Sequence, residues 1–154
     1  MAYKILFEKN LRIMDFQENS SEKKIEKYRK NLLTCDMQNE LMDRILIIMN
    51  DIPIICDPEF GIDKLAELVQ SNQKYVSQVI NIALKKNFRL FLNEYRIQEA
   101  QRIFSDPDVT KYTIESVALR VGFKSRNTFH NVFKEITGVT PNFYLKSMQE
   151  QHDL

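Results

Sequence analysis

A chain of 154 residues, 44% hydrophobic and 28% charged, is long enough for one domain or two very small ones and has ordinary globular composition. A formal net charge of +1 neither demands nor forbids a polyanionic partner, because local patches matter more than totals. Three Gly, four Pro and no Trp fit a helix-rich chain with few turns. Two cysteines, Cys35 and Cys56, are too few for a disulfide scaffold and lack zinc-ligand spacing, so they read as reduced thiols.

The longest unbroken apolar run, Ile45 to Met49, has five residues, far short of the roughly 18 a membrane span needs. The N-terminus has too short an apolar stretch for a signal peptide, and the expectation is a cytoplasmic chain without membrane contact. Residues 1–34 read as an N-terminal segment and linker, expected to be partly disordered. Phe7, Leu11 and Met14 have helical spacing, and the mixed-sign run from Glu22 to Lys30 reads as solvated.

From about Cys35 to Ile52 the residues Met37, Leu41, Ile45, Ile48, Met49 and Ile52 mark one face of an amphipathic helix that Pro53 is expected to end. A turn at Cys56-Asp57-Pro58 follows, and helical patterns continue to the end.

The informative feature is an internal repeat. Ile62, Leu65, Ala66, Val69, Val76, Val79 and Ile80 align with Ile114, Val117, Ala118, Val121, Phe129, Val132 and Phe133. The offset is 52 residues up to Val69 and 53 after it, so the second copy has one extra turn residue. Asn87, Phe91 and Leu92 continue the match with Thr140, Tyr144 and Leu145.

Each copy reads as a short helix, a tight turn and a second helix. In the second copy Thr113 caps the first helix, Gly122 supplies the turn, Ser125 caps the next helix, Gly138 stops it and Thr140-Pro141 opens the last one. Ala66 and Ala118 sit where two helices must cross closely. A helix pair of this kind is a helix-turn-helix, whose second helix can enter a DNA major groove. Between the copies, Phe88 to Phe104 reads as one helix capped by Asn87, roughly 25 Å long at 1.5 Å per residue. Successive major grooves on one face of DNA lie roughly 34 Å apart, a span such a connector plus the width of the two copies could bridge. The fold expected is therefore all-α, two helix-turn-helix subdomains joined by a long connecting helix: 35–86, 87–105 and 106–148 within a domain covering 35–148.

The outward positions of the second recognition helix are Arg126, Asn127, His130, Asn131 and Lys134. Arg can bond a guanine edge bidentately, Asn can do so with adenine, and Lys134 suits a phosphate. Four basic residues (Lys124, Arg126, Lys134, Lys146) against one acidic (Glu135) between Lys124 and Lys146 concentrate positive charge there. In the first copy Gln73, Lys74, Ser77, Gln78 and Asn81 face outward, polar but with little charge.

Tyr112 to Phe123, followed by Phe129, Val132-Phe133-Lys134 and Gly138-Val139-Thr140-Pro141, resembles the AraC/XylS-type DNA-binding domain of bacterial transcription regulators. Leu92 to Ala100 resembles its connecting helix, and the resemblance covers about residues 40–147. It implies two helix-turn-helix subdomains, promoter binding that recruits RNA polymerase, and a leaning towards activation. It also implies a sensing or dimerisation domain beyond this chain, which residues 1–34 are too short to supply. Base-reading positions carry over onto Lys74, Ser77 and Gln78, and onto Arg126, Asn127, Thr128, His130 and Asn131. Gln70 and Lys85 stand where the family usually has turn glycines, so altered turns are expected in the first copy.

The leading reading is a sequence-specific regulator that binds double-stranded DNA. The rival is a helical protein-interaction module without direct DNA readout, distinguished by binding that persists at high salt without nucleic acid. With only His130 and His152, no Gly-rich phosphate loop and no nucleophile signature around either cysteine, the chain offers no catalytic, metal or cofactor site and does not read as an enzyme.

Overall fold

A computed structural model of the chain describes residues 35–106 and 112–152. The spacing at Phe7, Leu11 and Met14 and the charged run from Glu22 lie outside the described residues, as does the side chain of Cys35. Among the described residues the architecture is all-helical, with eight helices and no strand: α1 (Cys35–Met49), α2 (Ile52–Ile55), α3 (Ile62–Leu68), α4 (Gln73–Leu84), α5 (Phe88–Phe104), α6 (Ile114–Arg120), α7 (Arg126–Thr137) and α8 (Pro141–His152).

The described chain divides into two compact units. One comprises residues through Ile47 together with Ile62–Phe88; the other comprises Ile48–Gly61 and Arg89 onward.

In the first unit α1 buries Leu41, Met42 and Ile45, and its Arg44 donates from Nη1 to the carbonyl of Val69 at 2.9 Å. Helix α3 buries Leu65 and Ala66. Its polypeptide then reverses in the pattern of a Schellman-type cap: the N–H of Ser71 bonds the carbonyl of Ala66 at 2.8 Å, skipping the left-handed residue between. Asn72 starts α4 by accepting the N–H of Tyr75 at 2.9 Å, which satisfies one of the donors a helix start leaves open. Helix α4 buries Val76, Val79, Ile80, Ala83 and Leu84 along one side and packs against α3.

The second unit repeats the plan. Thr113 and Ser116 form a reciprocal capping box at the start of α6, so the expected Thr113 cap is present with a second hydrogen bond added. The N–H of Phe123 bonds the carbonyl of Ala118 at 2.9 Å, the counterpart of the Ser71–Ala66 bond. Ser125 caps α7 through the N–H of Thr128, and α7 stops at Gly138, left-handed at φ 82°. Thr140 accepts from the N–H of Phe143 at the start of α8, where Pro141 occupies the first helical position. The core is a chain of rings: Phe123 to Phe129 at 5.3 Å, Phe129 to Phe133 at 5.5 Å, then Phe133 to Tyr144 at 5.5 Å and to Phe104 at 5.8 Å. Ala118 is fully buried where α6 packs on α7.

Two expectations about the first long helix are corrected. Helix α1 ends at Met49, before Pro53, and Pro53 lies in the first turn of α2, where a missing N–H leaves nothing unsatisfied. Asp51 caps α2 by accepting from the N–H of Ile54. Met37 and Ile52, assigned to the buried stripe by spacing, are 51% and 42% exposed, whereas Met42, outside that stripe, is fully buried.

The two left-handed glycines differ in surroundings. A Cβ on Gly122 (φ 87°) would lie 2.7 Å from the carbonyl oxygen of Cys56 and 3.0 Å from the Arg96 guanidinium carbon, whereas one on Gly138 would meet nothing within 4 Å. Gly138→Ala is expected to lose about 1 kcal/mol, for the left-handed backbone alone. Gly122→Ala is expected to lose roughly 2–4 kcal/mol because overpacking adds to it. Urea denaturation of both variants checks the difference, and equal losses would contradict the close approach at Gly122.

Candidate nucleic-acid interface

The buried side of α7 is set by Phe129 and Phe133, both without solvent exposure, with Val132 and Ile136 packed beside them. Helical periodicity therefore turns Arg126, Asn127, Asn131 and Lys134 to the exposed side, with His130 at its edge and half-buried. Among the described residues none of these five side chains makes a hydrogen bond or ion pair. Thr128 differs: its hydroxyl lies 2.9 Å from Ser125 Oγ, so its polar group is engaged in starting the helix.

On α4, Gln73, Lys74 and Asn81 are exposed and Ser77 and Gln78 half-buried. Asn81 Nδ2 donates to Ser77 Oγ at a long 3.5 Å. At the repeat offset of 53, these five positions coincide one for one with Arg126, Asn127, His130, Asn131 and Lys134. The Asn72 and Ser125 caps also coincide, so each polar face starts from the same point of its helix.

The basic cluster inferred between Lys124 and Lys146 is reduced by local pairing. Lys124, the extra turn residue, lies 2.7 Å from Glu59, and Lys146 lies 3.8 Å from Glu150. Both pairs are exposed and contribute little to stability, but each places a carboxylate beside its lysine. Arg120 stacks on Tyr112 and bonds its hydroxyl. Among the described residues Arg126 and Lys134 remain as the unpaired cations of the α7 face.

Gln70 and Lys85 adopt left-handed backbone at φ 52° and 55°, so the first unit keeps the turns expected to be altered. Gln70 corresponds to Gly122, and Lys85 to Gly138. The Lys85 N–H bonds the carbonyl of Asn81 at 3.0 Å, as the Gly138 N–H bonds that of Lys134 at 2.9 Å. The hydrogen bonds are strong enough to hold ordinary residues in a conformation that favours glycine.

Two positioning arginines carry no role in the sequence reading. Arg96, 7% exposed, donates from Nε to the carbonyl of Ile55 and from Nη2 to that of Asp57, both at 2.7 Å, and its guanidinium carbon sits 5.9 Å from the centre of the Phe123 ring. Burial pulls its pKa down, opposed by the neighbouring Cys56 and Asp57. Arg44, aimed at the turn residue Val69, stands 52 positions before Arg96, the offset of the repeat itself; that spacing was the signal available in the sequence. Burial pushes the Cys56 thiol up, with Glu99 adding to it, so the thiol stays protonated at neutral pH.

Two helix pairs, each closed by the same turn and each presenting a polar second helix, define a helix-turn-helix protein of the kind that binds DNA. A family model described as a helix-turn-helix domain matches residues 65–147, and the chain belongs to this family, in its AraC-type form. It is 29% identical over 115 residues to an uncharacterised HTH-type transcriptional regulator of Staphylococcus aureus strain MSSA476, covering 75% of this chain and 14% of that protein. It is 26% identical over 95 residues to the melibiose operon regulatory protein of Escherichia coli K12, covering 62% of this chain and 30% of that protein. The chain thus matches well under half the length of these relatives.

Among solved structures, the DNA-binding domain of AdpA, crystallised with a target DNA, aligns with a TM-score of 0.60 at 19% identity, covering 73% of this chain and 95% of that one. A DNA-binding transcriptional dual regulator from Escherichia coli K-12 aligns with a TM-score of 0.59 at 20% identity, covering 70% and 96%. These likenesses establish the fold.

Gln70→Gly should keep the turn and relieve its strained backbone. The expected result is a gain of roughly 0.5–1 kcal/mol in denaturant unfolding, the freer unfolded chain offsetting part of the relief. A loss of stability would mean that the Gln70 side chain supports the turn.

Proposed function

We propose that this chain is the DNA-reading part of a sequence-specific transcription regulator, an activator that places α4 and α7 in successive major grooves and recruits RNA polymerase. The observation that carries this reading is the coincidence of two polar helix faces, position for position, on two independently capped recognition helices.

In this reading Arg126 bonds a guanine edge, Asn127 and Asn131 read adenines, and His130 contributes at the margin of the face. Lys134 holds a phosphate. Thr128 acts chiefly through the helix start, since its hydroxyl is engaged with Ser125. On α4, Gln73, Lys74, Ser77, Gln78 and Asn81 form a hydrogen-bonding set whose one cation stands near the helix start. For DNA reading the two helix-turn-helix copies are taken as 35–86 and 106–148, with 87–105 as their connection, bounds that follow the repeat rather than the two compact units. The regulator works in the cytoplasm together with a sensing or dimerisation domain beyond these residues, a role supported by the greater length of its relatives.

Selection of bound duplexes from a random pool should return a two-part motif with half-sites about 10 base pairs apart. Arg126→Ala should then weaken binding by about 1–3 kcal/mol and relax one base position, whereas Lys134→Ala should weaken all sequences alike and lower the salt slope by about 1. A pool that shows no enrichment would sink the base-reading assignment. Salt-independent capture of a protein without nucleic acid would favour the interaction-module reading.

A further inference from the structure

The two recognition helices differ in where their cations stand. On α7 the polar face has a cation at each end, Arg126 in the first turn and Lys134 in the last. On α4 the counterpart of Arg126 is Gln73, with Lys74 beside it, and the counterpart of Lys134 is the uncharged Asn81. One helical turn further on the arrangement inverts: Gly138 ends α7 without a side chain, whereas Lys85 ends α4.

Lys85 is exposed, held left-handed at φ 55°, and its side chain makes no hydrogen bond or ion pair among the described residues. A glycine would take this backbone without strain, as it does at position 138. Strain at a position where no hydrogen bond or ion pair among the described residues uses the side chain points outward. The attraction of a cation to the carbonyl end of α4 gives Lys85 a structural use, but Lys86 brings a positive charge to the same end.

Lys85 follows Asn81 by four residues and is the left-handed cap of α4, so its exposed side chain leaves from the end of the helix rather than from its helical register. With it, α4 has a cation at each end, as α7 does. Lys74 and Lys85 are 11 residues apart, roughly 16 Å along a helix, against 8 residues and roughly 12 Å for Arg126 and Lys134.

We propose that Lys85 is a backbone-phosphate contact of the first unit. It takes the role Lys134 plays in the second, shifted by one helical turn and retained despite a backbone that favours glycine. The inference rests on the DNA-reading function proposed above.

The test uses the full chain and the duplex recovered by selection, with binding followed by fluorescence anisotropy between 50 and 200 mM salt. Each lost phosphate contact lowers the logarithmic salt slope by about 0.9, so wild-type affinity should fall about 3.5-fold further than that of Lys85→Gly over this fourfold range. Lys85→Asn, uncharged and tolerant of left-handed backbone, should behave the same way, while Lys85→Arg should keep the wild-type slope. The glycine variant should also melt at a higher temperature, which separates a lost contact from a damaged fold. Unchanged slopes in both the Gly and Asn variants would overturn the assignment, as would an equal loss of slope in Lys85→Arg. A wild-type chain that binds no duplex at any salt would instead remove the DNA-reading function itself.

Discussion

Each helix pair is closed by one short hydrogen bond that reaches over a left-handed residue: Ser71 to Ala66 across Gln70, and Phe123 to Ala118 across Gly122. The reversal sets the angle at which the second helix leaves the first. The alanine that accepts the bond is also the small side chain at the crossing, so a single residue closes the turn and permits the close approach. The caps then fix where the second helix begins, through Asn72 in one unit and Ser125 in the other. Everything that points outward from α4 and α7 inherits its direction from this turn.

The units meet the same constraint by different means. In the second, the turn is crowded: Gly122 abuts the Cys56 carbonyl, Arg96 ties the Ile55 and Asp57 carbonyls beside Phe123, and Phe123 begins the run of rings that ends at Phe104 and Tyr144. The buried guanidinium is tolerated because carbonyl dipoles and a ring face receive its charge, with the neighbouring Asp57 adding a favourable field. In the first unit, aliphatic side chains fill the core, and a single Arg44 bond reaches the turn. There the turn has no need of glycine, and Gln70 occupies it. The contrast places rigid aromatic support beneath the more charged polar face and lighter packing beneath the less charged one.

Much of this was legible in order along the chain. The repeat offset revealed two homologous helix pairs; Thr113, Ser125 and Pro141 marked helix starts; and Ala66 and Ala118 marked the crossings, because each feature depends on residues a few positions apart. Two of the failures were also local in cause. Periodicity assigned Met37 and Ile52 to the core, yet one lies at the first turn of α1 and the other beyond its end, where a stripe no longer has a neighbour to cover it. Pro53 was read as a stop although its missing N–H suits a helix start equally well, and only the Asp51 cap decides between the two. The pairing of Lys124 with Glu59 joins residues 65 positions apart, beyond any spacing rule.

Periodicity, caps and small residues at matched offsets were enough to establish an all-helical chain with two similar helix pairs and a polar outer face on each, because helices and their ends are governed by short-range hydrogen bonding. Folding in three dimensions decided which basic side chains stay unpaired, which glycine has no room for a methyl group, and that Gln70 and Lys85 take a glycine's backbone. Those outcomes depend on carbonyls and carboxylates brought in from distant parts of the chain, and on hydrogen bonds that override a residue's own preference. Neither is written in the identity of the residue concerned.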